Sequence, residues 1–379
     1  MTSKLTNKLR LAVVGVGHLG RIHARLAADL EEVELVAVVD PFEENRETSS
    51  KETGAKPLAD YRDLFGEVDA AVVATPTFTH REVAGDLLRG GIHTLVEKPL
   101  APTASESEEL VQLAKANQLI LQVGHVERFN PAYEAAQQRL SDPKFIQASR
   151  QSSYTFRSTD VGVVLDLMIH DIDAALALVR SPVVKTEALG ISVMGDHEDM
   201  VNARLQFACG AVANLTASRV SYQPQRTMQV FTSRGFASID FATRSATIVD
   251  PTEGILRREF NGADYSPQEK QQLHQNLFEE LLVKEPVEAP ECNAIVEELR
   301  DFAGAITSGE APRVTGADGR DAVAVASMIL DQVAEHAWDG TEGGRIGPLA
   351  MPALPLPIAG SFEAATEDVE DTVIYRQAG

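Results

Sequence analysis

The first forty residues constrain the chain most. An apolar run over 9–14 leads into Gly15-Val16-Gly17-His18-Leu19-Gly20, a helical pattern follows, and a second apolar run ends at Asp40, twenty residues past the last glycine. A lone Gly-x-Gly-x-x-Gly arises often by chance. Here a strand precedes it, a helix follows it and an acid closes the next strand, so three further conditions of a dinucleotide site are met. Gly15 permits a tight turn, Gly17 lets backbone approach a diphosphate, and Gly20 lets helix pack on strand. His18 and Leu19 complete the loop, and the helix N-terminus offers its amides to the anion. Asp40 is suited to accept from the adenosine ribose and to repel a 2′-phosphate. Pro41-Phe42-Glu43-Glu44 supplies no arginine for such a phosphate, so NAD is expected rather than NADP.

Short β-branched runs alternate with helical patterns as far as residue 124, which predicts a doubly wound parallel sheet covered on both faces. Beyond 125 the strands alternate polar and apolar residues, and Cys209-Gly210 reads as a hairpin turn. The length of 379 residues exceeds a single core. The expectation is an α/β chain: a Rossmann domain over 1–124, then an α+β domain over 125–338 with an open, mainly antiparallel sheet and a final helix near 318–338. An acidic tail rich in Pro and Gly, over 339–379, closes the chain. Helices on one side of the second sheet leave its other face to be covered, most simply in a homodimer or homotetramer.

A net charge of −22 argues against nucleic-acid and anionic-membrane partners. No apolar run reaches the roughly 20 residues of a membrane helix, and the N-terminus lacks a cleavage site, so a cytoplasmic protein is expected. The two cysteines, Cys209 and Cys292, have no metal-ligand spacing, and both are expected reduced and buried; no metal is expected.

The chemistry is carried by few residues. Thr75-Pro76 ends one strand and His80 opens the next helix, which suits the nicotinamide side of the crevice. Glu97-Lys98-Pro99 ends another strand at the carboxyl edge where such sheets bind ligands, and the proline rigidifies the turn behind the lysine. Downstream, Asp166, His170 and Asp173 fall at i, i+4 and i+7, one face of a helix. A neutral histidine there can take a hydroxyl proton, with a neighbouring carboxylate to stabilise the imidazolium.

These motifs, in this order and spacing, resemble the Gfo/Idh/MocA family of oxidoreductases over about residues 8–335. The resemblance implies that Lys98 and His170 flank the substrate carbon, with Asp166 assisting, and that Glu97 and Lys98 also border the cofactor. Met168 stands where the family pattern D-x-G-x-H has glycine. The stretches around His125, Arg128, Asn130, Arg157 and Arg219 look like the branch that oxidises UDP-N-acetylglucosamine at its 3-hydroxyl for lipid A synthesis. This implies a sugar-nucleotide substrate bound by those five residues and a downstream PLP aminotransferase. Two alternatives stay open: a dehydrogenase of inositol or a free sugar, and a non-catalytic NAD-binding regulator of the same fold.

Overall fold

The structure is a computed structural model that describes residues 8–156 and 161–336. Arg157 and the segment 339–379 lie outside the described residues. The first sheet contains β1 (Leu9–Val14), β2 (Val33–Val39), β3 (Lys56–Leu58), β4 (Ala70–Val73), β5 (His93–Glu97) and β6 (Leu121–Gly124). Its order is β3-β2-β1-β4-β5-β6, and every pair is parallel. Four helices connect the strands: α1 (His18–Ala28), α2 (Glu43–Thr53), α3 (His80–Arg89) and α4 (Ala104–Ala116). Val38, Val72 and Leu95 are fully buried, as a sheet covered on both faces requires.

The chain then passes through α5 (Pro131–Gln137) and β7 (Pro143–Gln151). A five-residue π-turn (Val164–Met168) runs straight into α6 (Ile169–Val179). Next come β8 (Val183–Ile191), β9 (Met200–Phe207), β10 (Val212–Ser218), β11 (Gln225–Thr232), β12 (Phe236–Asp240) and β13 (Ser245–Pro251). After two short helices, α7 (Glu253–Leu256) and α8 (Pro267–Gln275), β14 (Leu282–Val287) completes a sheet ordered β14-β13-β12-β11-β7-β10-β9-β8. All its pairs are antiparallel except β7 with β10. The expected hairpin joins β9 to β10, with Gly210 at φ +88° where a side chain would be strained.

One face of this sheet packs Ile146, Leu205, Leu215 and Met228 against α6 and the closing helix α10 (Gly316–Glu335). The opposite face is largely polar. Asn202 donates to Thr216 (2.8 Å) and Arg204 to Asn214 (3.0 Å) across strands, while Phe145, Phe231 and Phe236 form an aromatic strip at one end. Hydrophobicity therefore demands cover only for that strip, since antiparallel sheets tolerate one wet face.

Helix α9 (Ala294–Ser308) returns to the first sheet, where Leu299, Phe302 and Ala303 complete the core around Leu11, Val13 and Val38. Helix α10 then spans both halves, packing on α4, α6 and β8. Cys209 is exposed rather than buried, because it occupies the hairpin turn, and Cys292 is half-buried; both are free thiols. Among the described residues no helix is long and apolar enough to cross a membrane.

Candidate active site

The loop between β1 and α1 has the form a diphosphate needs. Gly15 adopts φ +83°, and a Cβ there would lie 2.8 Å from the Ala74 carbonyl. At Gly20 a Cβ would fall 1.8 Å from the Gly15 oxygen, so only glycine lets α1 sit this close to the strand. A Cβ at Gly17 would meet nothing within 4 Å, which leaves that backbone open to an approaching group. Helix α1 has no side-chain cap and no acid in its first turn, so its first amides remain available to an anion. These residues fit NAD.

Asp40 stands beside this loop and is nearly buried. Its Oδ2 accepts from the Val16 amide (3.0 Å) and its Oδ1 from the Phe42 amide (2.9 Å), and each oxygen keeps a further lone pair for a ribose hydroxyl. Arg46, one turn into α2, donates to the Pro41 carbonyl (3.0 Å). The segment 41–44 lacks an arginine, yet the helix brings one to its side.

Leu19, Thr75, Pro76, Phe78, Lys98, Leu165 and Asp166 line a cleft of 400 Å³ between the two sheets. Lys98 projects from the end of β5, and its Nζ donates to the Asp166 carbonyl (2.7 Å) and carboxylate (3.3 Å). The Ile169 amide reaches back to Val164, five residues earlier, which makes the segment carrying Asp166 a π-turn, a device found often at functional sites. Helical spacing in the sequence does not reveal this widening. Asp166 is thereby paired with Lys98 rather than with His170.

His170 opens α6 with its Nδ1 buried and without a hydrogen-bond partner among the described residues. Burial, reinforced by Lys98, Arg150, His125 and Arg226, holds its pKa well below the usual imidazole value. The ring is therefore neutral at physiological pH and free to accept a proton. Met168 is fully buried in the core beneath this turn.

Several expected site residues have partners within the chain. His80 is buried with its ring between the Thr75 (2.8 Å) and Pro99 (2.9 Å) carbonyls, so it ties the two cleft loops together. His125 is sealed behind His170, edge-on at 6.3 Å between ring centroids, and burial followed by Arg128 and Lys98 pushes its pKa down to about 3. Asn130 caps α5 through the Ala132 amide (3.1 Å) and donates to the Phe241 carbonyl (3.1 Å). Arg128 turns away to Asp173 (3.3 Å) and the Arg313 carbonyl (3.1 Å), beside a separate cavity of 610 Å³ under α6 and α10. Asp173 is thereby paired with Arg128. Arg219 is nearly buried and binds Asp199 (2.7 Å) and the Val161 carbonyl (2.7 Å), fixing the chain as it enters the π-turn.

Behind Lys98 lies a cluster that sequence reasoning missed. Glu97 lines the same cleft and is otherwise buried. Its Oε1 is 2.7 Å from His23 Nε2, its Oε2 accepts from the Lys98 amide (3.2 Å), and Glu298 of α9 lies within 4.8 Å of both side chains. A Cβ at Gly124 would fall 2.9 Å from Glu97 Oε2, so glycine makes room for the carboxylate. Burial would raise the Glu97 pKa, but the bond and charge of His23, with Lys98 nearby, outweigh it and hold the carboxyl below the usual range. Burial and the Glu97 charge push Glu298 well above that range. The signals were a histidine on the buried face of α1 and a glutamate one turn before Phe302 on the buried face of α9.

Residues 9–125 match the family described as "Oxidoreductase family, NAD-binding Rossmann fold", and residues 132–238 match the "GFO/IDH/MocA C-terminal domain". The chain belongs to the Gfo/Idh/MocA oxidoreductase family. It is an oxidoreductase with NAD as its cofactor, from a family of sugar and inositol dehydrogenases. It is 32% identical over 322 residues to the UDP-N-acetylglucosamine 3-dehydrogenase of Acidithiobacillus ferrooxidans, covering 85% of this chain and 96% of that one. A solved structure of that enzyme superposes with a TM-score of 0.75 at 31% identity, over 86% of this chain and 97% of the other. The scyllo-inositol 2-dehydrogenase (NAD(+)) of Bacillus subtilis is 26% identical over 335 residues, 83% of this chain and 91% of its own. Levoglucosan dehydrogenase in complex with NADH and levoglucosan shares the fold, with a TM-score of 0.74 at 17% identity over 89% of this chain and all of that one.

Proposed function

We propose that this family member oxidises UDP-N-acetylglucosamine at its 3-hydroxyl to the 3-keto sugar, with NAD reduced to NADH. The observation that carries the chemistry is Lys98 Nζ bonded to Asp166 from across the cleft, beside a histidine held neutral. The substrate rests on the 32% identity to an enzyme of that name. When bound, NAD accepts the hydride that leaves the sugar carbon. Neutral His170 takes the hydroxyl proton, Lys98 hydrogen-bonds the oxygen as charge develops, and Asp166 holds that ammonium in place. One C–H and one O–H bond break, a C=O bond forms, and His170 passes the proton to solvent, so alkaline pH favours oxidation.

Functionally, the chain divides into a cofactor half built on the first sheet and a substrate half built on the second. The aromatic strip of Phe145, Phe231 and Phe236 on the open sheet face suits contact with a second copy of the chain. A PLP aminotransferase is the natural consumer of the ketone, because alcohol oxidation by NAD is uphill and product accumulates when it is drawn off. The test incubates the protein with NAD, UDP-N-acetylglucosamine, glutamate and such an aminotransferase, and follows the 3-amino sugar nucleotide by mass spectrometry. Its appearance supports the assignment. Robust NADH formation from inositol or a free hexose, with no amino sugar nucleotide, would overturn it.

A further inference from the structure

We infer that Arg226 is the cation that receives the substrate's diphosphate, and that it distinguishes a sugar nucleotide from an uncharged sugar. The inference rests on the sugar-nucleotide reading above. A diphosphate brought to a chain with 56 acids against 34 lysines and arginines needs a cation that no carboxylate has claimed. The arginines near His170 are mostly claimed: Arg128 by Asp173, Arg150 by Glu127 (2.7 Å) and Asp171 (2.9 Å), and Arg219 by Asp199. Arg226 is exposed, and its guanidinium has neither a hydrogen bond nor an ion pair among the described residues.

Its position comes from the sheet. On β11, Arg226 pairs with Arg150 of β7, whose guanidinium reaches Asp171 next to the catalytic histidine. Side chains alternate along a strand, and Met228 and Val230 are fully buried on the helix-covered face, so Arg226 belongs to that same face at the open end of the strand. The electrostatics agree, because the Arg226 charge opposes protonation of both His170 and Asp171. An unpaired guanidinium stays solvated until an anion replaces its water, and its planar fork matches a phosphate with two parallel bonds. An inositol or a free hexose has no charge to offer it.

The experiment uses the full chain with NAD, and UDP as a probe that carries the diphosphate without the sugar. Wild type, Arg226→Ala and Arg226→Lys are compared for UDP-N-acetylglucosamine kinetics, for inhibition by UDP and for turnover of uncharged N-acetylglucosamine. Circular dichroism and melting temperature confirm that each variant folds. Arg226→Ala is expected to raise both KM for the sugar nucleotide and Ki for UDP about tenfold or more, with kcat changed less than about threefold. Arg226→Lys should recover part of this loss, and KM for the uncharged sugar should shift less than about threefold. If wild type oxidises the sugar nucleotide and Arg226→Ala does so with the same KM and Ki, the inference fails while the substrate reading stands. If wild type neither turns over the sugar nucleotide nor binds UDP, the substrate reading fails and takes the inference with it.

Discussion

Asp173→Asn sets two opposed effects against each other. Asp173 is almost fully buried on α6, with one oxygen 3.3 Å from the Arg128 guanidinium and the other without a partner among the described residues. Burial raises its pKa and Arg128 lowers it; burial prevails, and the carboxyl is pushed from the ordinary 3.8 up to about 7. Between those values the folded chain holds a proton that the unfolded chain has released. Stability therefore falls as pH rises from about 4 to about 7 and is level above, and at ~1.4 kcal/mol per pH unit the whole interval is worth about 4 kcal/mol. Asparagine keeps an oxygen for Arg128 and has no proton to gain or lose. Urea unfolding of both proteins at pH 5, 6, 7 and 8 should show the difference moving by about 3 kcal/mol in favour of Asp173→Asn, nearly all of it below pH 7. A difference that stays constant from pH 5 to 8 would refute the reasoning, because the ion pair with Arg128 would then have kept the folded carboxylate ionised.

Lys98→Met and His170→Ala should each lower kcat by about two to four orders of magnitude while NAD affinity by calorimetry stays within a few-fold, and a wild-type rate in either would remove that residue from the chemistry. Because His170 is already neutral, the wild-type rate should show no acid limb near pH 6.5, and a limb there that vanishes in His170→Ala would contradict its placement. Gly20→Ala should weaken NAD binding by at least about tenfold, since its Cβ cannot sit 1.8 Å from the Gly15 oxygen without moving α1; unchanged binding would mean the helix has room to spare. NAD should bind at least about tenfold more tightly than NADP, which the reverse order in parallel titrations would disprove. Glu298→Gln should leave stability near wild type at pH 4 and raise it increasingly toward pH 8, as the folded wild type must take up a proton that glutamine does not need; equal melting at both pH values would show Glu298 ionised in the fold.

The cofactor loop was readable because its requirements are local. Gly15, Gly17 and Gly20 each answer a backbone constraint within one strand-turn-helix, and the alternation of apolar runs specified a parallel sheet. Lys98 and His170 were readable as residue types at motif positions, whereas their relation was not: the π-turn that gives Asp166 to Lys98 leaves the i, i+4 spacing untouched. Arg128, Asn130 and Arg219 lie in the expected stretches but turn to carboxylates and carbonyls, since which way a long polar side chain points depends on neighbours remote in sequence. The same holds for His125, which lies buried behind His170. Glu298 looked like one more charge on an amphipathic helix, and only the return of that helix to the first sheet makes it a buried acid.

That return also bears on how the protein is made. The inner face of the nucleotide-binding sheet, with Leu11 and Val13, waits for Leu299 and Phe302 from the far end of the described chain. At roughly 5–20 residues per second, the ribosome needs about 9 to 36 s to go from the last strand of that sheet to residue 303. During that interval the nascent sheet carries an uncovered apolar flank, and the whole second sheet must be threaded before the flank can close. A release of the chain short of α9 should therefore yield a protein that aggregates through its own N-terminal half, and chaperone dependence should end abruptly once residue 303 is available.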